Sequence, residues 1–470
     1  MPSIDKNDFR NSAKQEKEQE RLLAISPSET KEKCSVSKLD GLIQQYCPNG
    51  VEYRTVLSVL SQPITDGPHE TPVLCSSGIP FISVESIHDG IVDVEKCRGY
   101  ISEDSSRIYR QKYTPQKDDV YMVKSASVGR VAIVSDNTNF DIWSPIAAMR
   151  ANKSVIMPRY LFYSLQTETI QKLVLKKSSK GSQPNLSMRK LEEFLIPVPP
   201  LPVQQEIVRI LDKFTELEAE LEAELLLRRR QYEYYRDTLL NLEDVDPNSW
   251  LGEMLDQYCP DGVQWKMLGE VFDTCTDYTA AGSFADIAKN VIYRKMPDDA
   301  LLVRTMDIKN GFTKENMVYI DNHAYNYLWR VHIDKPCIIM PNIGNCGEVY
   351  HVLPENIPYK KAALAPNAIL LNSSTVNLRY LFHVLQSESF QKKLRKIVTP
   401  VGQTKFNKTE FKDLTAPIPP IPVQEAIVSV LDKFSALCTN ISAGLPAEIA
   451  ARHKQYEYYR DKLLNFDHIV

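Results

Sequence analysis

Two runs of basic side chains, Lys172, Lys176, Lys177, Lys180 and Lys392, Lys393, Arg395, Lys396, stand just before two polar loops, 176–187 and 396–408. The loops carry Gln183 and Asn185 in one case and Gln403 and Lys405 in the other. Ammonium and guanidinium groups beside side-chain amides can hold a phosphate backbone and read paired donors and acceptors. A solvated helix face is the plain alternative. The recurrence of both features at equivalent places raises the first reading to equal standing with it. Further polar residues collect where strands are expected to end: Ser83, Glu85, Ser86 and His88 in one stretch, and Arg304, Asp307 and Lys309 in its counterpart. Asn342, Asn345, Lys124 and Arg130 flank a pair of glycine corners, Gly129-Arg130-Val131 and Gly347-Glu348-Val349. The candidates for base edges differ between the two halves, as reading two different sequences requires; among them, Arg304 is expected to serve one half only. His88 faces Lys309 in the alignment, which suits either a recognition position that changes identity or an exposed loop residue. The glycine corners are expected to be tight turns, with close approach to a phosphate as the alternative.

The chain lacks the usual signatures of an active site. It has no Gly-x-x-x-x-Gly-Lys-(Ser/Thr) loop, no Gly-x-Gly-x-x-Gly after a strand, no His-Glu-x-x-His, and no (Asn/Asp)-Pro-Pro-(Tyr/Phe) tetrad for amino-group methylation. Its eight histidines show no metal-ligand spacing, and its nine cysteines contain no Cys-x-x-Cys pair. Cys47 and Cys259 repeat within Tyr-Cys-Pro-(Asn/Asp)-Gly turns, where packing is their expected role. No apolar run approaches the roughly 20 residues a bilayer crossing needs, so a cytoplasmic location and no membrane partner are expected.

The elements that must position these residues are written twice. Gln-Tyr-Glu-Tyr-Tyr-Arg-Asp at 231–237 recurs at 455–461, each copy downstream of Pro-Pro-(Leu/Ile)-Pro-Val-Gln and Leu-Asp-Lys-Phe. Residues 1–37 are polar and unrepeated and read as a mobile extension. Domains follow at 38–200 and 246–420, with helical regions at 201–245 and 421–470. The net charge of −4 hides a division. Residues 46–195 hold 18 basic and 16 acidic groups and residues 257–420 hold 19 and 16, whereas 201–245 hold 6 and 11. The acidity sits in the connecting helix, and the domains are left weakly basic. In each domain Phe81–Gly90 or Leu302–Gly311 reads as a half-buried strand closed by Asp-Gly or Asn-Gly. Arg-Tyr-Leu-Phe at 159–162 and 379–382 starts an amphipathic helix, and the proline clamps at 197–202 and 417–422 form rigid hinges.

After each clamp an apolar seam runs at spacings of three and four: Ile207, Ile210, Phe214, Leu217, Leu221 and Ile427, Val430, Phe434, Leu437, Ile441. Packing the two seams together, antiparallel, buries both. Tyr232, Tyr235, Tyr456 and Tyr459 are expected to pack on these helices or to dock a partner. The second helix is expected to break at Gly444-Leu445-Pro446. The fold class is therefore α+β (mixed): a tandem pseudo-two-fold repeat of two α/β domains joined by two long helical regions packed as an antiparallel coiled coil.

These duplicated motifs, with a variable domain before each, make the chain resemble the specificity subunit of Type I restriction-modification systems from about Leu39 onward. The resemblance implies a non-catalytic reader whose two target-recognition domains each bind one half of a bipartite, asymmetric site on double-stranded DNA. It implies no cofactor in this chain. Two methyltransferase subunits would dock on the helices, bind S-adenosylmethionine and methylate adenine, and two motor-nuclease subunits can join to restrict unmodified DNA. The N-terminal extension and the Gly444 break depart from the pattern. A coiled-coil assembly scaffold with no DNA role is the rival reading; a single-chain methylating or cutting enzyme is disfavoured by the missing motifs.

The helix between the domains carries a four-residue rhythm, Thr-Glu-Leu-Glu, Ala-Glu-Leu-Glu, Ala-Glu-Leu-Leu, over 215–226. Four helical residues add roughly 6 Å and about 40°, and one base pair adds about 3.4 Å and roughly 35°. Deleting Ala219–Glu222 is expected to shorten the spacer between half-sites by about one base pair. Mapping methylated sites checks this, and an unchanged spacer rejects it.

Overall fold

The computed structural model describes residues 38–136, 138–179, 183–312, 316–399, 404–439 and 444–467. They form two compact units: the described residues up to Glu222 together with those from Glu448 onward, and the stretch Ala223–Ala447. Seven helices frame them: α1 (Pro158–Gln166), α2 (Glu168–Lys177), α3 (Leu201–Leu239), α4 (Leu378–Gln386), α5 (Glu388–Ile397), α6 (Ile421–Thr439) and α7 (Leu445–Leu463). The break expected near Gly444 falls between α6 and α7, although 440–443 lie outside the described residues.

In the first unit a six-stranded sheet runs in the order Thr65–Asp66, Ile146–Met149, Val120–Val123, Val131–Ile133, Ile91–Val92, Ile87–His88. Val120–Val123 and Ile146–Met149 are buried at every position, as apolar runs covered on both faces must be. Gly99–Ile101, Ile79–Ile82 and Asp141–Ile142 form a second sheet. Tyr53–Thr55 pairs antiparallel with Leu195–Pro197, which sets the proline clamp beside the start of the domain. The second unit repeats the plan with Thr274–Asp277, Ala368–Asn372, Cys337–Pro341 and Tyr350–Val352 in one sheet. Val318–Ile320, Ala300–Val303 and Ala362–Leu364 make another, and Trp265–Met267 pairs with Thr415–Pro417.

One expectation about the strands needs correction. The stretches 81–90 and 302–311 are not single strands, because each turns helical after three residues, at Val84–Ser86 and Thr305–Lys309. The cause is local capping. Ser86 Oγ accepts from the Ser83 amide at 3.4 Å, and the Asp307 carboxylate accepts from the Arg304 amide at 2.9 Å. Asp89 and Gly90 then supply the two positive φ angles, 49° and 77°, of a tight hairpin turn.

The duplicated motifs are the contacts that assemble each unit. On α3, Val203, Ile207 and Leu211 are fully buried at a spacing of four, and Val423, Ile427 and Leu431 repeat this on α6. The glutamine of each clamp is buried beside them. Gln204 accepts from the Met157 amide at 2.8 Å and donates to Val155 and Pro199 carbonyls; Gln424 accepts from Asn377 at 2.9 Å and donates to Pro419. The aspartate of Leu-Asp-Lys-Phe binds the start of the amphipathic helix. Asp212 accepts from Arg159 at 2.7 Å and Tyr163 at 2.5 Å, and Asp432 accepts from Arg379 and from His383 at 2.8 Å. The last residue of Gln-Tyr-Glu-Tyr-Tyr-Arg-Asp caps the next helix: Asp461 accepts from the Glu168 amide of α2 and Asp237 from the Glu388 amide of α5, both at 3.0 Å.

Phe214 stacks on Tyr459 at 5.3 Å, and Phe434 on Tyr235 at 4.8 Å. Tyr456 meets Tyr163 edge-on, as Tyr232 meets His383. In the first unit α3 and α7 run antiparallel, because Phe214 meets Tyr459 while the later Glu218 meets the earlier His453 at 2.8 Å. Each apolar seam is buried in the core of its own unit, with Phe214 on Tyr459 and Phe434 on Tyr235, rather than against the other seam, and the first is shorter than its spacing suggests. Leu217 is 45 % exposed and Leu221 half-buried, so the tight contact stops near Phe214; the Leu437 side chain lies outside the described residues.

The aspartate contact of the second unit, unlike that of the first, includes a histidine. His383 is fully buried, and burial holds its pKa below the ordinary histidine value. Because a carboxylate can only accept, Nε2 carries the proton toward Asp432; Nδ1 lies 2.9 Å from the Tyr232 hydroxyl, which donates to the Gln386 amide oxygen at 3.0 Å. His351 is lowered to about 4 by burial and by the nearby Arg379 charge. Burial alone would raise Asp432, yet hydrogen bonds from His383 and Arg379 hold it at about 2, so it stays ionised across the histidine range. Tyr163 and Ile133 occupy the matching places in the first unit. A histidine whose folded pKa is depressed contributes stability above about pH 6.5 that is lost as pH falls toward the folded value. Hydrogen exchange between pH 7.5 and 4.5 is expected to show the second unit loosening first. His351→Ile should remove part of that difference; equal loosening of both units contradicts the assignment.

Candidate nucleic-acid interface

In each unit two stretches far apart in sequence meet as one pair of loops. The chain leaves the buried strand Val120–Val123 at Lys124, and the loop around 183–186 lies along it. The Ala126 amide donates to Pro184 at 3.0 Å, and the Leu186 amide to Lys124 at 2.8 Å. In the second unit the Gly344 amide donates to Thr404 at 2.8 Å and the Phe406 amide to Asn342 at 3.1 Å. Ser179 and Thr399 close the loop bases on Asn185 and Lys405, each at 2.9 Å. The polar loops after the basic helices are thus backbone-bonded to the segments entering the glycine corners, which the sequence had placed about 60 residues apart.

The glycines are tight turns, as expected. Gly129 has φ +99° and Gly347 φ +109°, and a Cβ would come within 2.5 Å of Gln171 and 2.7 Å of Gln391. Those glutamines hold the corners: Gln171 donates to the Gly129 carbonyl at 3.0 Å and Gln391 to Gly347 at 3.0 Å.

Gln183, Asn185, Asn345 and Lys405 lie exposed on these loops, with Arg130 beside them. Asn342 is half-buried, and its Oδ1 is buried without a hydrogen-bond partner. Glu85 is exposed and Ser83 half-buried near the His88 corner. His88 itself lies between Asp89 at 2.9 Å and Asp93 at 3.0 Å. Lys177 and Lys396 are exposed on α2 and α5. Their neighbours are engaged: Lys172 and Arg395 pair with Glu168 and Glu388 at 2.7 and 2.6 Å, and Lys393 donates to Thr415 over the Trp265 ring. Lys180 and Gln403 lie outside the described residues.

Five expected readers, Ser86, Lys124, Arg304, Asp307 and Lys309, are engaged by the fold itself. Ser86 is buried, and its hydroxyl donates to the Lys96 carbonyl at 2.8 Å. Lys124 is buried 3.2 Å from Asp66, a carboxylate that also takes Lys112 at 2.5 Å. Asp307 is buried and takes both guanidinium edges of Arg304 at 2.9 and 2.6 Å. Sequence reasoning aligned Glu348 with Arg130 but missed its part. It accepts from Lys309 at 2.8 Å and from the Tyr350 hydroxyl. Burial would raise Glu348, but these hydrogen bonds hold it below the ordinary glutamate value. Opposite charges at aligned positions were the signal that could have found it. Among the described residues no group of His, Cys, Asp and Glu is placed to hold a metal ion, and no helix is long and apolar enough to cross a membrane.

Arg304 therefore acts on the second unit as a whole. Arg304→Ala strands the buried Asp307 carboxylate and is expected to destabilise that unit by about 2 kcal/mol. Thermal unfolding followed by hydrogen exchange reads it, and unchanged stability refutes the structural role.

The comparisons with known proteins agree with this layout. Residues 74–227 and 264–451 match the Type I restriction modification DNA specificity domain. The chain is 28% identical over 374 residues to the Type I restriction enzyme EcoR124I/EcoR124II specificity subunit of Escherichia coli, covering 75% of this chain and 84% of that one. It is 31% identical over 293 residues to a putative type I restriction enzyme specificity subunit of Haemophilus influenzae, covering 60% and 66%. A chain from a structure concerned with complex assembly and conformational transition of the type I R-M system superposes with a TM-score of 0.52 at 15% identity, over 89% of this chain and 98% of that one, a likeness of fold. Two copies of one specificity domain, each closed by the same buried contacts and each presenting its own loop pair, place this chain in the family of Type I restriction-modification specificity subunits.

Proposed function

We propose that the chain reads a bipartite, asymmetric DNA site, one half with each unit, and directs methyltransferase and motor-nuclease subunits to it. The observation that carries this reading is a contrast between framework and loops. The buried framework repeats nearly residue for residue, with Gln204 and Gln424, Asp212 and Asp432, and Asp461 and Asp237 making the same bonds. The loops repeat only in part: Gln183 has Gln403 as its counterpart in sequence, but exposed Asn185 stands against exposed Lys405. A repeated frame with divergent loops suits two heads that meet one kind of polymer but different letters of it. Phosphate contacts would come from Lys177 and Lys396, and base contacts from Gln183, Asn185, Asn345 and Lys405. S-adenosylmethionine would be bound by the methyltransferase partners, where the chemistry would occur.

A scaffold without a DNA role would leave loop identity free to drift, and the two proposals separate in one experiment. The chain reconstituted with two methyltransferase subunits is expected to methylate adenine at a two-part site found by methylome sequencing. Gln183→Ala and Asn345→Ala are expected to relax different halves of that site, by about 1–3 kcal/mol each. A complex that binds all sequences alike, or variants that blur both halves equally, would overturn the assignment.

A further inference from the structure

In the first unit a cavity of about 430 Å³ opens where the glycine corner, the end of α1 and α7 meet. Its polar lining is largely cationic or donating. Arg130 reaches it from the corner, and its guanidinium makes no ion pair among the described residues. Arg460 reaches it from α7, is only 9 % exposed, and has no acceptor better than Asp461 next to it in sequence, at 3.3 and 3.4 Å. The Gln166 amide lines the same space: its oxygen accepts from Tyr456 at 3.3 Å, and its Nε2 is buried with no partner. His88 and Asp89 form the rim, with the Asp89 carboxylate turned onto the imidazole at 2.9 Å.

A buried guanidinium held by Asp461 and the Tyr456 ring, a second guanidinium with no counter-ion among the described residues and an unpaired amide N–H in one concavity form a hydrogen-bond set with room for an acceptor. In the second unit the arginine is paired in the same way, and the difference lies at the corner. Arg236 forms a two-pronged pair with Asp237, both at 3.0 Å. Where the first unit has Arg130 and His88, the second has Glu348 and Lys309, bonded to one another at 2.8 Å. That corner supplies its own anion.

We propose that the cavity of the first unit is an oxyanion site for a phosphate group, and that the second unit has no such site because Glu348 fills its role internally. Arg130 and Arg460 supply the charge and Gln166 the neutral donor. The phosphate is either one of the DNA backbone or a free one, and only the DNA source rests on the proposed reading.

The test uses the full chain with its methyltransferase partners, with Arg130→Ala as the variant because Arg130 is exposed. Inorganic phosphate, added against chloride at matched ionic strength, is expected to raise protection of the first unit in proportion to the logarithm of its concentration if the free anion binds; Arg130→Ala abolishes this. If the DNA backbone is the source, phosphate alone does nothing, and Arg130→Ala lowers the slope of log affinity against log salt by about one without changing which sites are methylated. Arg130→Glu, which installs the charge found in the second unit, should reproduce either loss more strongly. The proposal is overturned if the variants match the parent in both measurements, or if Arg130→Ala changes the sequence preference instead of the slope. Loss of sequence preference by the parent complex would count against the DNA reading alone.

Discussion

Each unit hangs on a carboxylate enclosed between an arginine and an aromatic ring. Asp212 receives Arg159 and Tyr163, and Asp432 receives Arg379 and His383. A long helix is thereby locked to the first turns of the helix that backs the sheet. Ion pairs of this kind add little to net stability, because desolvation offsets attraction. What they confer is register. Asp212 can accept both groups only when Leu211, on the next position of α3, is already seated in the core. Every later contact follows from that register, including the caps supplied by Asp461 and Asp237 and the stacking of Phe214 on Tyr459 and of Phe434 on Tyr235.

This explains why some of the structure was legible in the sequence and some was not. The repeated letters announced two equivalent frames, and the period of the apolar residues announced the helices. The glycine corners were legible because positive φ leaves few residue choices. Partnership was not legible. Gln204, Asp212 and Asp461 each act on residues dozens to hundreds of positions away, so their repetition could be seen but their use could not. Polarity misled at the loop edges for a related reason. Ser86 and Asp307 look like residues offered to a ligand, yet each caps its own turn and is buried. Lys124 resembles a phosphate contact until Asp66, brought in from another strand, takes its charge.

The two units share a frame but differ in how they settle charge and protons. The second contains its own counter-ion at Glu348 and two histidines kept neutral by burial. The first has tyrosine and isoleucine at the histidine positions and leaves two guanidinium groups facing a cavity. Duplication therefore supplied equal scaffolds, and divergence at a few interior and corner positions gave each its own electrostatic character. The exchange of Tyr163 for His383 falls within the aspartate contacts themselves, where either ring still donates to the carboxylate, and the corner substitutions fall outside them.

The second unit is one continuous stretch, Ala223–Ala447, whereas the first is closed by residues from the far end of the polypeptide. The Val51 amide bonds to the Asp467 carbonyl at 2.9 Å, the Tyr53 hydroxyl to the Phe466 carbonyl at 2.9 Å, and Tyr456 covers Tyr163. On a ribosome the half that emerges first therefore waits, with its flank bare, until translation passes residue 467, while the half made later already has all its pieces. Maturation runs opposite to synthesis, and a nascent chain stalled late would display one finished unit and one unfinished one.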